Sequence, residues 1–280
     1  MADGVWHPLL PVLPLSALPH CATKGVNLDL RSKVEMSTSF FEWQLYMSFL
    51  RQNLDGVSRE LPLLELGAGD GRITSYLLKM GFRQIVACDC NIEALQRIHS
   101  KLEPGERQRV VLVGDDMSRL RLPRDFFGAI VAIEVLYYLN ENYENMLAAL
   151  HTNLGDNGLL LNAEPLLEGA LIYALVAQDW DNVNSLCHDR LKIEHLGQEQ
   201  AVRSRVFTLP ELTAASKSAG FEIKDLRFTS ALNSLAVRQI GAGDLGEKRK
   251  LDLLRSVRSV IDKNYTPRCA LLAATKLDRG

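Results

Sequence analysis

Three observations predict an α/β fold, a largely parallel sheet covered by helices. From Leu61 onward, short β-rich runs alternate with helical stretches, the pattern of strands joined by crossover helices. Glycines 67, 69 and 71 stand where the first of these runs hands over to a helix. Each of the first four runs ends on a carboxylate: Glu65, Asp89, Asp115 with Asp116, and Glu134.

The elements follow in order. The first 60 residues contain one amphipathic helix, near 39–53, which can serve as a lid or as a core-packing helix. Strands are predicted at 61–66, 84–89, 109–114, 127–134 and 158–163, with helices at 72–80, 92–100 and 142–150. At 164–207 the alternation lapses into a segment too long for an ordinary connection, bearing Trp180, His188 and His195, and it is predicted as a helical insertion. Thr208-Leu209-Pro210-Glu211 has the form of a capping box and opens a helix to Ala219 that Gly220 ends. A sixth strand follows at 221–227. Leu251, Leu254, Val257 and Ile261 recur at helical spacing, and a seventh strand is predicted at 268–275. The domain reading is an N-terminal extension with its helix, 1–58, and one ligand-binding domain, 59–280, whose insertion 164–207 caps the substrate.

Composition narrows the class. The 280 residues are 47% hydrophobic and 24% charged, ordinary for a globular chain with a sizeable core. A formal net charge of -2 offers no global field for nucleic acid or membrane. The five cysteines (Cys21, Cys88, Cys90, Cys187, Cys269) are scattered without a C-x-x-C pair, which argues against a disulfide framework or a structural zinc site and for a reducing cytoplasm. The apolar start lacks a basic residue before Lys24 and is broken by Pro8, Pro11, Pro14 and Pro19, so no signal peptide is expected. No run reaches the roughly 20 apolar residues of a membrane span.

The glycine turn carries its own chemistry. Glycine lets the backbone turn tightly and lets a ligand reach the helix N-terminus. Glu65 before it and Asp70 within it would repel a pyrophosphate but attract a positively charged ligand. Asp89 lies 22 positions beyond Gly67, close to the roughly 20 of an acid that grips two ribose hydroxyls. That spacing alone also suits NAD, but the G-x-G-x-G spacing lacks the third glycine of G-x-G-x-x-G. The expected ligand is a cationic nucleoside.

Glu65-Leu-Gly-Ala-Gly-Asp-Gly71, Asp89, Gly114-Asp115 and Ile133-Glu-Val-Leu-Tyr-Tyr-Leu139 together resemble the class I S-adenosylmethionine-dependent methyltransferases. The resemblance covers about residues 60 to 165 closely. It implies a Rossmann-like seven-stranded sheet, mostly parallel with its last strand antiparallel, with helices on both faces. It implies S-adenosylmethionine as cofactor, with Gly67, Ala68, Gly69 and Gly71 beside the methionine part, Glu65 near its ammonium and Asp89 on the ribose. Cys90 would pack on the adenine, Asp115 would accept from its amino group, and Asp116 or Met117 would complete that pocket. Glu134 and Val135 would lie along the far side of the cofactor.

Methyl transfer from a sulfonium has an excellent leaving group, so much of catalysis can come from alignment and exclusion of water. An oxygen acceptor wants a base, whereas an amine needs only to arrive unprotonated. The catalytic candidates are Tyr137, as an acceptor-facing residue, and His188, as a base. Tyr46, Tyr138, Glu164 and His195 are candidates for binding the acceptor. Cys88 and Cys90 read as packing residues at a strand end. Ile133-Glu-Val-Leu replaces the family's Asn/Asp-Pro-Pro-Tyr motif, which turns the reading from base or glutamine N-methylation toward O- or N-methylation of a small molecule. The alternatives are a protein or RNA acceptor, or an inactive cofactor-binding partner subunit. A monomer or homodimer is expected, without nucleic acid, membrane or metal. Gly241-Ala-Gly-Asp-Leu-Gly246 lacks a preceding strand and reads as a linker; Lys248 to Arg258 reads as a solvated basic face.

Overall fold

A computed structural model describes residues 35–196, 200–230 and 267–276. The apolar start, the glycine linker at 241–246 and the basic helix expected beyond it lie outside the described residues.

Helix α1 (Glu35–Leu54) precedes β1 (Leu63–Leu66), which leads through the glycine turn into α2 (Arg72–Lys79). Then come β2 (Ile85–Asp89), α3 (Ile92–Lys101), the single turn α4 (Pro104–Arg107), β3 (Val110–Gly114), β4 (Phe127–Ile133), α5 (Tyr143–Asn153) and β5 (Leu154–Pro165). After an insertion, α8 (Leu209–Ser218), β8 (Phe221–Ser230) and β9 (Pro267–Lys276) complete the domain. The sheet order is β3-β2-β1-β4-β5-β9-β8. β1 to β5 run parallel, and β9 runs antiparallel to both of its neighbours, β5 and β8. Strand order reverses between β1 and β4, where Leu66 lies opposite Cys88 on one side and Ala132 on the other. That reversal opens a crevice at the carboxyl ends. Because β9 runs the other way, its first residues arrive at the same rim: Cys269 pairs with Pro165 at the end of β5.

Alternate strand residues enter two cores, one on each face. Leu64, Leu66, Ile130, Ala132 and Leu160 pack with Tyr143, Leu147 and Leu150 of α5 and Leu212 of α8. Leu63, Ala129, Val131 and Leu161 pack with α2, α3 and the second half of α1. Phe49, Leu50 and Leu54 of α1 are fully buried, each worth roughly 1.5–3 kcal/mol on burial. That half of α1 is a core helix.

The capping box forms as expected: Glu211 N–H donates to Thr208 Oγ1 at 3.4 Å, and Thr208 N–H donates to Glu211 Oε2 at 2.8 Å. The insertion corrects the sequence reading. It is helical only in its first half, α6 (Leu167–Ala177) and α7 (Trp180–His188), and then forms an antiparallel hairpin, β6 (Leu191–Leu196) with β7 (Gln200–Arg205). A side chain from α7 supports this hairpin: Asn182 donates to the Ile193 carbonyl at 2.9 Å and accepts from Ile193 N–H at 2.6 Å. Its amide thus pairs with β6 much as a neighbouring strand would.

Candidate functional site

The turn after β1 is built by backbone conformation. Gly67, Gly69 and Gly71 have φ of +69°, +52° and +81°, the region open to glycine at little cost. A Cβ at Gly67 would stand 2.6 Å from Val135 Cγ2, and one at Gly71 2.8 Å from Ile98 Cγ1. At Gly69 the nearest atom would be 4.0 Å away. Two glycines therefore seat the loop against its neighbours, while the third leaves an open face. Asp89 locks the loop to β2, its Oδ2 accepting from Gly69 N–H at 2.8 Å and its Oδ1 from Asn91 N–H at 2.7 Å. Each oxygen keeps a lone pair for a further donor.

Glu65 lies beneath this loop, 1% exposed. Its Oε2 accepts from Thr74 Oγ1 at 2.6 Å, and its Oε1 has no donor. Burial pushes the carboxyl up to about 8, with Asp89 and Asp70 adding to the rise and Thr74 opposing it. An orphaned buried oxygen on the strand end that feeds this glycine turn fits a ligand that brings a charged N–H donor. The residues present thus suit the ammonium end of S-adenosylmethionine.

Further along the rim, Asp115 is exposed and accepts from Asp116 N–H at 2.8 Å. Asp116 caps the turn Met117–Arg119 through Ser118 N–H at 2.9 Å, and Met117 packs against the core. Cys88 is buried, its thiol pushed up to about 12 by burial first and by Asp89 next, as a packing residue should be. Cys90 is half-buried.

Glu134 ends β4 with φ +51°, a conformation costing a non-glycine residue on the order of 1–3 kcal/mol. Its Oε1 accepts from the Tyr46 hydroxyl of α1 and from Cys269 Sγ at 3.4 Å, and lies 3.5 Å from Arg268 Nη1. Burial tends to raise the carboxyl, but Arg268, Tyr46 and Cys269 outweigh it and hold Glu134 below the usual range. The first half of α1 also reaches the loop, where the Arg72 guanidinium stands 5.2 Å from the Trp43 ring centre.

The turn Leu136–Asn142 after Val135 separates the two tyrosines. Tyr137 is buried at 8% exposure, and burial drives its hydroxyl far above the usual range. Tyr138 is 39% exposed and donates to Glu194 Oε2 of β6 at 2.8 Å. Glu164 is wholly buried, accepting from Tyr137 N–H at 3.1 Å. His188 is exposed at the end of α7 and lines a groove of about 780 Å³ with Asn140, Arg190, Arg203 and Glu211. No residue of the glycine loop lines this groove, so His188 is not brought to the cradle. His195 sits on β6 opposite Ala201. Among the described residues, no cluster of three or more His, Cys, Asp or Glu could hold a metal ion, and no helix is long and apolar enough to cross a membrane.

Sequence reasoning missed Thr74, Glu194, Arg268 and Cys269. Thr74 carried a usable signal, one helical turn into α2 behind the loop. Arg268 and Cys269 carried none, since only the reversed strand brings them to the rim.

A sequence model of a methyltransferase domain matches residues 63–158, from β1 into β5. Among solved structures, the chain is similar to a putative S-adenosylmethionine-dependent methyltransferase from Listeria monocytogenes, at 17% identity and a TM-score of 0.60, over 88% of this chain and 99% of that one. It is similar to one from Mesorhizobium loti at 15% identity and a TM-score of 0.56, over 82% and 96%. It is also similar to the Burkholderia thailandensis 1,6-didemethyltoxoflavin-N1-methyltransferase with bound 1,6-didemethyltoxoflavin and S-adenosylhomocysteine, at 18% identity, 93% coverage of each chain and a TM-score of 0.53. At these identities the likeness is one of fold. No curated protein sequence matches significantly.

Proposed function

We propose, for a chain whose residues 63–158 match a methyltransferase-domain model, that it moves a methyl group from S-adenosylmethionine to an oxygen or nitrogen atom of a small organic acceptor. One observation carries the cofactor assignment: Glu65 Oε1, buried and without a donor, at the end of the strand that leads into a glycine turn whose Gly69 faces open space. Glu65 takes the ammonium of the methionine part, and Gly67, Ala68, Gly69 and Gly71 let the backbone approach it. Asp89 keeps capacity for the ribose hydroxyls. Cys90, Asp115, Asp116 and Met117 line the adenine end, and Val135 and Glu134 form the opposite wall.

When bound, the cofactor would supply an electrophilic methyl group on a positively charged sulfur, to be transferred in line as the acceptor's lone pair bonds the methyl carbon, the carbon–sulfur bond breaks and neutral S-adenosylhomocysteine leaves. The protein's own part is alignment and exclusion of water. Tyr46 of the N-terminal extension and Glu194 of the insertion each reach the wall formed by Glu134 to Tyr138, which supports a pocket closed by 1–58 and 164–207 over the domain 59–280. Tyr138 is the tyrosine placed to meet an acceptor; Tyr137 serves packing. An amine arriving unprotonated requires no base, and this reading assigns none to His188. The Burkholderia enzyme, with its small heterocycle bound, supports a small acceptor, and the scattered cysteines without a C-x-x-C pair support a reducing cytoplasmic setting.

Calorimetry with S-adenosylhomocysteine and with NAD tests the cofactor; binding of NAD alone would overturn it. Labelled methyl groups incubated with protein and a cell extract should appear in the small-molecule fraction. Label confined to protein or RNA would overturn the acceptor class, and cofactor binding without any transfer would leave only the partner-subunit reading.

A further inference from the structure

Glu134 anchors one carboxylate oxygen and leaves the other open. Its Oε1 collects the Tyr46 hydroxyl of α1, Cys269 Sγ at 3.4 Å and, at 3.5 Å, Arg268 Nη1. Among the described residues no group donates to its Oε2, and the side chain is 30% exposed. The backbone is held as well: Glu134 N–H donates to the Ala163 carbonyl at 2.9 Å. Its φ of +51° is a costly conformation for a non-glycine residue, of the kind that clusters at functional sites. Glu134 follows β4 where the strand order reverses, and its chain neighbour Val135 bounds Gly67. The open oxygen thus belongs to the crevice beside the glycine turn. Two neighbouring acids are spent or sealed: Glu194 accepts from Tyr138 through Oε2 and from Lys192 through Oε1, and Glu164 is 0% exposed.

We infer that Glu134 Oε2 binds the nitrogen of a primary or secondary amine, which makes a small amine the acceptor; this rests on the proposed transfer of a methyl group from S-adenosylmethionine. A neutral amine attacks through its lone pair. The nitrogen–carbon bond forms, the carbon–sulfur bond breaks with its electrons left on sulfur, and the positive charge passes from sulfur to nitrogen. The surplus proton of the new ammonium then leaves to water. An ionised oxygen already fixed at that nitrogen accepts from its N–H and stabilises the charge as it develops there. Burial opposes ionisation of Glu134, yet Arg268, Tyr46, Cys269 and Lys192 together hold the carboxyl below its usual range. A carboxylate so held is a weak base, so it does little for an alcohol, which must lose a proton to react. It repels a phenolate or a carboxylate acceptor. A neutral amine needs what this oxygen offers and nothing that it lacks.

Wild-type protein incubated with methyl-labelled S-adenosylmethionine and the small-molecule fraction of a cell extract should place the label on nitrogen, as NMR of the products reads directly. Glu134→Gln keeps an oxygen for Tyr46 and sets an NH2 group in place of Oε2. Transfer at saturating cofactor should therefore fall at least about tenfold. The competing place for Oε2 is against the sulfonium, and calorimetry of E134Q separates the two. An amine site leaves the affinity ratio of S-adenosylmethionine to S-adenosylhomocysteine within about threefold of wild type; a sulfonium site costs S-adenosylmethionine selectively. Label on oxygen, sulfur or carbon, no label despite cofactor binding, a selective loss of S-adenosylmethionine affinity, or undiminished transfer by E134Q would each overturn the assignment. Failure of the wild type to bind either cofactor form sinks the cofactor reading itself, and calorimetry shows that before any product is sought. The wild-type product needs no variant, so it decides the matter if E134Q fails to fold.

Discussion

The Tyr46 hydroxyl of α1 donates to the carboxylate of Glu134, 88 residues later in the chain, and Glu134 holds its left-handed backbone at the end of β4 to receive it. One bond thus joins the N-terminal helix to the rim of the crevice at the strand ends. Tyr46→Phe removes the donor and keeps the ring. Because Glu134 is partly solvated, the loss should be near 1 kcal/mol, read as a lower thermal midpoint and several-fold weaker S-adenosylhomocysteine binding. Unchanged affinity with a lower midpoint would confine the bond to stability.

Glu65 makes ligand affinity depend on pH. Its folded value is raised to about 8 from an unfolded value of about 4.3. In the ligand-free protein its stabilising contribution is therefore present at acid pH and is lost as pH rises from about 4 to about 8. An arriving ammonium selects the ionised carboxylate, so binding below about pH 8 should release up to about one proton at this site. Calorimetry of S-adenosylhomocysteine in buffers of different ionisation heat should detect that release, and Glu65→Gln should abolish it while weakening affinity at least tenfold.

The glycines of the turn should separate by role. Gly67→Ala puts a Cβ against Val135 at a positive φ and should lower stability by several kcal/mol through overpacking and backbone strain together. Gly69→Ala meets open space and should cost only about 1–2 kcal/mol of conformational strain. The added methyl group nevertheless occupies the face a ligand must use, so binding should fail in a folded protein. Thermal melts beside calorimetry distinguish the two.

Asp89→Ala removes the acceptor of two backbone N–H groups, Gly69 and Asn91. Hydrogen exchange at the Gly69 amide should accelerate. S-adenosylhomocysteine affinity should fall by at least about tenfold, since a charge-assisted contact is worth a few kcal/mol. Slow exchange at Gly69 with intact affinity would show that the loop holds itself.

The crevice was legible because parallel strands deliver their ends to one place. Glu65, Asp89, Asp115 and Glu134, each at the end of a predicted strand, all reach the same rim. The hairpin β6–β7 was not read, although Leu191-Lys-Ile-Glu alternates in the manner of a strand; the helical character of α6 and α7 just before it dominated the segment. The roles of Tyr137 and Tyr138 could not be separated from sequence, because the irregular turn Leu136–Asn142 has no period to say which side chain faces inward. The contacts of Glu134 with Tyr46, Arg268 and Cys269 span some 90 to 135 positions and depend on a strand reversal that no local pattern announces.

The place of β9 in the sheet also bears on biosynthesis. Among the described residues β8 has no strand partner other than β9, and β9 emerges from the ribosome only after β8 and the 36 residues between them. Until then β5 is an exposed edge of backbone donors and acceptors, open to pairing with another chain. The growing polypeptide thus carries an open edge through most of its translation, and closing it is a late, long-range event of the slow kind. Chaperone demand during synthesis should therefore concentrate on β5 and β8, and the contacts of Arg268 and Cys269 with Glu134 at the rim form only when β9 arrives.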